Sequence, residues 1–158
     1  MHTRTCLPIA VLLMALALPA LPVRADSADE ELRELHEKVM RAHRENNVDL
    51  LLEDGAADSV EANRGEIRRP STSETRARFS AYLRDTRFET YRDVVEPIVV
   101  TSADGSLGWV IVQVEAHGVQ AAETGRGQPL QFTSAWVELY QKRDGRWYRV
   151  GNVSNFKP

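Results

Sequence analysis

Cysteine is almost absent from this chain of 158 residues, because Cys6 is the only one. It belongs to an N-terminal segment that we expect to be removed from the mature protein. A chain without cysteine has no disulfide framework, no thiolate metal site and no cysteine nucleophile. We therefore expect a domain held together by an apolar core, with no metal and no cofactor.

A long hydrophobic run is also missing. The apolar stretch from Leu7 to Leu18 is shorter than the about 20 residues that a transmembrane helix needs. It follows the positive charge of Arg4 and precedes the small-residue pattern Val23-Arg24-Ala25, which resembles a signal-peptidase site. We predict that residues 1–25 are a cleaved signal peptide, with an uncleaved anchor as the alternative. The mature chain is then exported, periplasmic or secreted, and has no membrane span.

An excess of positive charge is missing as well. Removal of Arg4 and Arg24 leaves 18 of the 20 basic residues against all 23 acidic ones, so the predicted mature chain has a net charge of −5. A mildly acidic domain has no electrostatic attraction for nucleic acid. The remaining 133 residues (158 − 25) have the size of one ordinary domain with its own core. We therefore expect a single domain, 26–158, that does not bind nucleic acid.

The first half of the mature chain is predicted to be mostly helical. Apolar residues from Leu32 onward recur at three- and four-residue steps, as on one face of a helix that ends near Asn46. A short second helix follows at 48–53. Ser71 and Glu74 form a capping box, which predicts the start of a third helix that continues to about Asp85.

The second half changes to a two-residue period, which is typical of strands. Tight hairpin turns are predicted at Ala103-Asp104-Gly105 and at Arg143-Asp144-Gly145. The predicted strands are 56–62, 88–103, 107–121, 129–142 and 146–155. Helices followed by a long meander of strands indicate an α+β domain.

Alternation along the strands predicts an inner face that packs under the helices. Its members are almost all apolar, and they include Val110, Val112, Val114, Ala135, Val137, Leu139, Tyr148, Val150 and Asn152. The opposite phase holds all three tryptophans, interleaved with charges. Its members include Trp109, Ile111, Trp136, Glu138, Tyr140, Trp147 and Arg149.

This second, outer face has the composition of a protein–protein interface, in which aromatic residues are mixed with a few charges. Two-fold homodimers are the commonest oligomers. We therefore predict a homodimer that forms through this face. The alternative is that the rings pack against the curvature of their own sheet and against the loop around Gly125.

The order of these elements resembles a known superfamily. Two local motifs add to the likeness: Asn46-Asn47-Val48-Asp49 after the first helix and Asp144-Gly145-Arg146-Trp147 before the last strand. Over residues 27–156 the chain resembles the nuclear transport factor 2-like, or SnoaL-like, superfamily. The resemblance implies a cystatin-like cone, in which N-terminal helices pack on a strongly curved antiparallel β-sheet and a pocket lies at the open end. It also implies dimerisation through the outer face of the sheet.

The same resemblance leaves the chemistry open, because the superfamily includes ketosteroid isomerase, scytalone dehydratase, polyketide cyclases and non-catalytic domains. The isomerase residues are not matched. The position of its first-helix tyrosine falls near Arg41, and the position of its protonated aspartate falls within 135–137. The remaining candidates for proton transfer are His43, Asp58 and Glu61.

A ligand pocket is expected on the inner face of the sheet. Its predicted lining residues are Tyr82, Tyr91, Val112, Val137, Tyr148, Val150 and Asn152. Asn152 is polar in mid-strand, so its amide either bonds a helix residue or contacts a ligand. The leading hypothesis is a domain that binds a small apolar ligand. The alternatives are a cofactor-independent dehydratase, cyclase or isomerase, and an assembly module whose own side chains fill the pocket.

Overall fold

The structure, a computed structural model, describes residues 25–122 and 127–157. All of the predicted signal peptide except Ala25 lies outside the described residues. None of the helices within these ranges has the length and apolarity needed to cross a membrane. In chain order the elements are α1 (Ala25–Arg44), α2 (Val48–Leu52), β1 (Gly55–Asn63), β2 (Glu66–Arg68), α3 (Thr72–Asp85), β3 (Thr86–Asp93), β4 (Ile98–Thr101), β5 (Leu107–Gln120), β6 (Gln128–Arg143) and β7 (Arg146–Lys157).

The strands form one curved, open sheet in the order β2-β1-β7-β6-β5-β3. β4 pairs with the same edge of β5 as β3 does, but nearer to the start of β5. The sheet is mixed rather than antiparallel, because β1 and β7 run parallel. These two strands are distant in sequence, so no hairpin fixes their relative direction. The predicted strand 88–103 is divided into β3 and β4. Pro97 lies at the break and has no amide hydrogen for a sheet hydrogen bond.

Helix α1 lies across the inner face of the sheet, where its apolar stripe meets β5. Leu32 is fully buried there, and it occupies the space beside Gly108. A Cβ atom at position 108 would lie 2.5 Å from Leu32 Cδ1, so any larger residue there would displace the Leu32 side chain. Val110, Val112 and Val114 continue the same buried row along β5, as predicted.

The predicted cap and hairpin turn are confirmed. At the start of α3 the Ser71 hydroxyl accepts a hydrogen bond from the amide of Glu74, and the Glu74 carboxylate accepts one from the amide of Ser71. Asp144 and Gly145 both have positive φ angles, as a type I′ turn requires. This turn joins β6 to β7 at the place that the sequence indicates.

The predicted phase of β6 is wrong by one residue. Val112 lies directly opposite Trp136, and directly paired residues of antiparallel strands point to the same face. The residues of β6 that are buried under the helices are Ser134, Trp136, Glu138 and Tyr140. The residues that point outward are Ala135, Val137 and Leu139. Both rows contain large apolar side chains, so hydropathy alone selected the wrong row.

A β-bulge changes the phase within β7. Tyr140 pairs with Arg149, whereas the preceding residue, Leu139, pairs with Gly151. One extra residue, Val150, is therefore accommodated in β7 at this point. Such a bulge bends the strand and reverses the side-chain alternation beyond it.

The bulge explains why strict alternation is only partly correct for β7. Trp147 and Arg149, before the bulge, lie on the inner face, and Trp147 is buried. Asn152, after the bulge, lies on the same inner face opposite Glu138. No two-residue period places residues 147, 149 and 152 together. The predicted outward positions of Trp147 and Arg149 are therefore wrong.

Candidate functional site

A cavity of about 900 Å³ lies between the helices and the end of the sheet formed by β1, β6 and β7. All three helices contribute to its wall. The apolar part of the lining includes Val39, Leu51, Phe79, Leu130 and Phe132. The polar part of the lining is smaller in area than the apolar part. Its most buried members come from α1 and from β6 and β7, the two strands for which the alternation of side chains predicted the wrong face.

The most buried charged group in this wall is the carboxylate of Glu138, whose residue is only 2% exposed. One oxygen accepts a hydrogen bond from Trp136 Nε1 at 3.3 Å, and the other accepts one from the Tyr140 hydroxyl at 2.8 Å. These donors lie two residues before and after Glu138 on β6, so the strand itself holds the carboxylate from both sides. A buried carboxylate without such partners would cost several kcal/mol.

Arg149 supplies the compensating charge. Its Nη1 lies 3.6 Å from Glu138 Oε1, and its Nη2 donates a hydrogen bond to the carbonyl oxygen of Leu51 at 3.0 Å. The guanidinium group therefore joins β7 to both β6 and α2. Arg149 faces inward because the register of the β6–β7 hairpin pairs it with Tyr140, which is on the inner face.

His43, from α1, is the third polar group of this region and is 7% exposed. Its Nδ1 donates a hydrogen bond to the carbonyl oxygen of Val39 at 2.8 Å. A carbonyl oxygen only accepts, so the proton lies on Nδ1 and Nε2 is left as an acceptor. Nε2 makes no hydrogen bond to the described residues. Burial lowers the pKa of His43 to about 4, so the ring is neutral at neutral pH.

Two tyrosines lie beside His43 in the cavity wall. The Tyr91 ring stacks on the His43 ring with the centroids 4.4 Å apart, and the Tyr82 ring meets His43 edge-on at 6.3 Å. Neither hydroxyl is hydrogen-bonded to a described residue. Burial raises the pKa of Tyr82 to about 12 and raises that of Tyr91 well above its ordinary value. Both side chains therefore keep their protons.

The three candidates for proton transfer do not come together. His43 and Glu61 line the cavity, but Glu61 forms a two-pronged ion pair with Arg78 of α3. Asp58 is exposed outside the cavity, where it pairs with Arg143 at 3.0 Å. Asp58 therefore does not meet His43. Across 25–122 and 127–157, no group of three or more His, Cys, Asp or Glu side chains is arranged to hold a metal ion.

The predicted pocket lining is partly correct in position. Tyr82, Tyr91 and Asn152 line the cavity. Val112 is on the inner face but lies in the core, where side chains surround it completely. The other three do not line the cavity, because of the phase error and the bulge: Val137, Tyr148 and Val150.

The predicted outer face divides in the same way. Trp109 and Ile111 of β5 point outward and are partly exposed, as expected. The other five predicted members are directed inward: Trp136, Glu138, Tyr140, Trp147 and Arg149. Glu138 and Arg149 were thus missed as cavity residues. The spacing Trp136, Glu138, Tyr140 was the available signal, because two ring donors flank an acid on one strand face.

Comparisons with known proteins support the fold. No protein-family model matches the sequence, and no curated protein is similar to it in sequence. The structure is similar to that of an NTF2-like protein of unknown function from Pseudomonas putida KT2440, with a TM-score of 0.65, 16% identity and coverage of 83% of this chain and 87% of that one.

Two further solved structures agree. A ketosteroid isomerase-like protein from Erwinia carotovora atroseptica SCRI1043 has a TM-score of 0.65 and 16% identity, covering 84% of this chain and 99% of that one. An uncharacterised protein with a cystatin-like fold from Caulobacter vibrioides has a TM-score of 0.64 and 15% identity, covering 84% of this chain and 91% of that one. The chain therefore has the cystatin-like fold of the NTF2-like proteins, which confirms the predicted resemblance and fold class. At this identity the likeness shows the fold alone.

The neutral state of His43 predicts a pH dependence of stability. In the unfolded chain the ring titrates near its ordinary pKa of 6.5, whereas in the folded protein it titrates at about 4. Below 6.5 the unfolded state binds more protons, so the free energy of unfolding falls as the pH is lowered. For this one group the loss between about pH 7.5 and about pH 5 is about 2 kcal/mol. Urea unfolding at the two pH values should show that the His43→Phe variant lacks this loss.

Two comparisons isolate the effect. His36 acts in the opposite direction: burial lowers its pKa, but its hydrogen bond to Asp93 and the charge of Glu138 outweigh burial and raise it. The informative quantity is therefore the difference between wild type and His43→Phe in how much the free energy of unfolding falls between the two pH values. His117 is exposed on β5, so His117→Phe should keep the wild-type dependence. An equal loss in wild type and His43→Phe would contradict the prediction.

Proposed function

We propose that this protein binds a small, largely apolar molecule in the cavity between the helices and β1, β6 and β7. The observation that carries the proposal is the cavity itself. Its volume of about 900 Å³ falls within the range of roughly 300–1,000 Å³ that is usual for ligand sites. Such sites are mainly apolar with a few placed polar groups. Here those groups are Glu138, Arg149, His43 and the two tyrosines.

Binding is better supported than proton-transfer catalysis. The catalytic alternative needs a carboxylate within hydrogen-bond reach of His43. Asp58 lies outside the cavity, Glu61 is bonded to Arg78, and no described carboxylate is hydrogen-bonded to His43. The open volume also argues against an assembly module whose own side chains fill the pocket.

A matched pair of variants tests the cavity. Ala56 lines it, whereas Ala57, the next residue of β1, is exposed and does not. Tryptophan at position 56 takes up ligand space, so Ala56→Trp should weaken the binding of the uncharged fluorescent probe Nile red by about tenfold or more. Ala57→Trp should bind the probe as wild type does. Circular dichroism checks that both variants fold, and equal binding by the two would refute the cavity as the site.

We also propose that two copies of the chain pair through the outer face of the sheet. The register of four strands brings partly exposed apolar residues together there, and we call them the outer patch: Ile98, Val100, Trp109, Ile111, Val137, Leu139 and Val153. Large apolar patches on a surface usually mark an interaction site. An apolar patch matches itself across a two-fold axis, which favours a second copy as the partner.

Sedimentation of two isoleucine variants tests this pairing. Ile111 is 38% exposed in the outer patch, and Ile67 is 77% exposed on β2, away from it. A glutamate in the centre of an apolar interface leaves an unpaired charge there. Ile111→Glu should therefore be a folded monomer, while wild type and Ile67→Glu should be dimers. A monomeric wild type, or a dimeric Ile111→Glu, would contradict the proposal.

Export is the last element of the proposed function, and it rests on the signal-peptide pattern of residues 1–25. When the full chain is expressed in a Gram-negative host, mass spectrometry of the product should find an N-terminus at Asp26 in the periplasm or the medium. Ala25→Leu removes the small residue before the cleavage site, so this variant should keep the N-terminal segment and stay with the membrane. A wild-type product that begins at Met1 in the cytoplasm would disprove export.

A further inference from the structure

The polar groups of the cavity also indicate the chemical class of the ligand. We infer that the ligand is uncharged and that it presents a hydroxyl group to His43, Tyr82 and Tyr91. The inference rests on the proposed binding function and makes it more specific. It follows from two independent features of the wall, which are the pairing of its charges and the unused hydrogen-bonding groups of its rings.

Four of the five charged side chains that line the cavity pair with one another, and the fifth, Arg64, is exposed. Glu138 pairs with Arg149, and the rest of its carboxylate capacity is used by the donors of Trp136 and Tyr140. A second pair, Glu61 with Arg78, forms at the wall. An ionised ligand would have to break one of these pairs, because transfer of an uncompensated charge out of water is very unfavourable. The cavity therefore disfavours both acids and amines.

The unused groups lie together on one side of the cavity. His43 has its Nδ1 bonded back to α1, so the Nε2 edge of the ring is the one that projects from the helix. Tyr91 stacks on this ring and is only 6% exposed, and Tyr82 meets its edge. These three groups make no hydrogen bond within the described part of the chain, and their atoms are not closed off from the cavity, so each is available to a ligand.

The pattern of donors and acceptors selects a hydroxyl. Nε2 of neutral His43 only accepts, so its partner must donate. The tyrosine hydroxyls keep their protons, so each can donate to a ligand oxygen. An alcohol or phenol oxygen meets both requirements, since it donates to Nε2 and accepts from a tyrosine. A carbonyl group satisfies the tyrosines only and leaves Nε2 without a partner.

Three probes with one skeleton and different head groups test the inference: 1-pyrenemethanol, 1-pyrenecarboxylate and 1-pyrenemethylammonium. Their affinities for the full mature protein are measured by fluorescence at neutral pH. The alcohol should bind about tenfold or more tightly than either ion. Tyr91→Phe and Tyr82→Phe keep the rings and remove one hydroxyl each. Each change should weaken the binding of the alcohol by about two- to tenfold, which is the usual effect of one hydrogen bond, and should leave the binding of the two ions unchanged.

Tyr148→Phe is the matched control, because Tyr148 does not line the cavity. It should bind all three probes as wild type does. An ion that binds as tightly as the alcohol, or an alcohol affinity unchanged in Tyr91→Phe and Tyr82→Phe, would overturn the inference. The Ala56→Trp variant separates this failure from that of the proposed function. If Ala56→Trp abolishes the binding of the probes, the cavity is the binding site even where the inference about the hydroxyl fails. If the wild-type protein binds neither these probes nor Nile red, both proposals are refuted.

Discussion

The burial of the Glu138 carboxylate is the constraint on which the rest of the structure depends. A charge that is 2% exposed needs donors and a counter-charge close by. Trp136 and Tyr140 supply the donors only if all three residues share the inner face of β6, and Arg149 supplies the charge only if the β6–β7 hairpin pairs it with Tyr140. The strand phase, the hairpin register and the position of α2, whose Leu51 carbonyl accepts from Arg149, are therefore fixed together.

This arrangement makes the two faces of the sheet unusual. Along β6 the row under the helices contains the acid and the polar rings, while the row toward the surface contains Ala135, Val137 and Leu139. An antiparallel sheet with one solvated face normally has the opposite distribution. The inner row leaves polar groups around a cavity, and the outer row leaves an apolar patch. The site within the domain and the proposed contact between two domains thus have the same origin.

The fold could be predicted because its signals are local and independent of strand phase. The capping box of Ser71 and Glu74 and the Asp144-Gly145 turn each act within a few residues. The site could be predicted only in part. His43 and Tyr82 lie on helices that precede the meander, Tyr91 lies on its first strand, and all three line the cavity. Glu138 and Arg149 were placed on the wrong face, because both rows of β6 contain large apolar side chains and because the phase chosen for β6 sets that of Arg149 across the hairpin.

The ring cluster of His43, Tyr82 and Tyr91 is the feature of the fold that most favours the proposed ligand binding. Stacking and burial would be equally available to phenylalanine at each position, but phenylalanine would present neither Nε2 nor a hydroxyl to the cavity. The depressed pKa of His43 further means that this imidazole lowers stability in mild acid. Residues that break a local rule of stability without a structural gain are expected at functional sites. The proposed ligand would supply a partner to each of these three rings, in a part of the cavity where the ion pairs of Glu138 and Glu61 disfavour an ion.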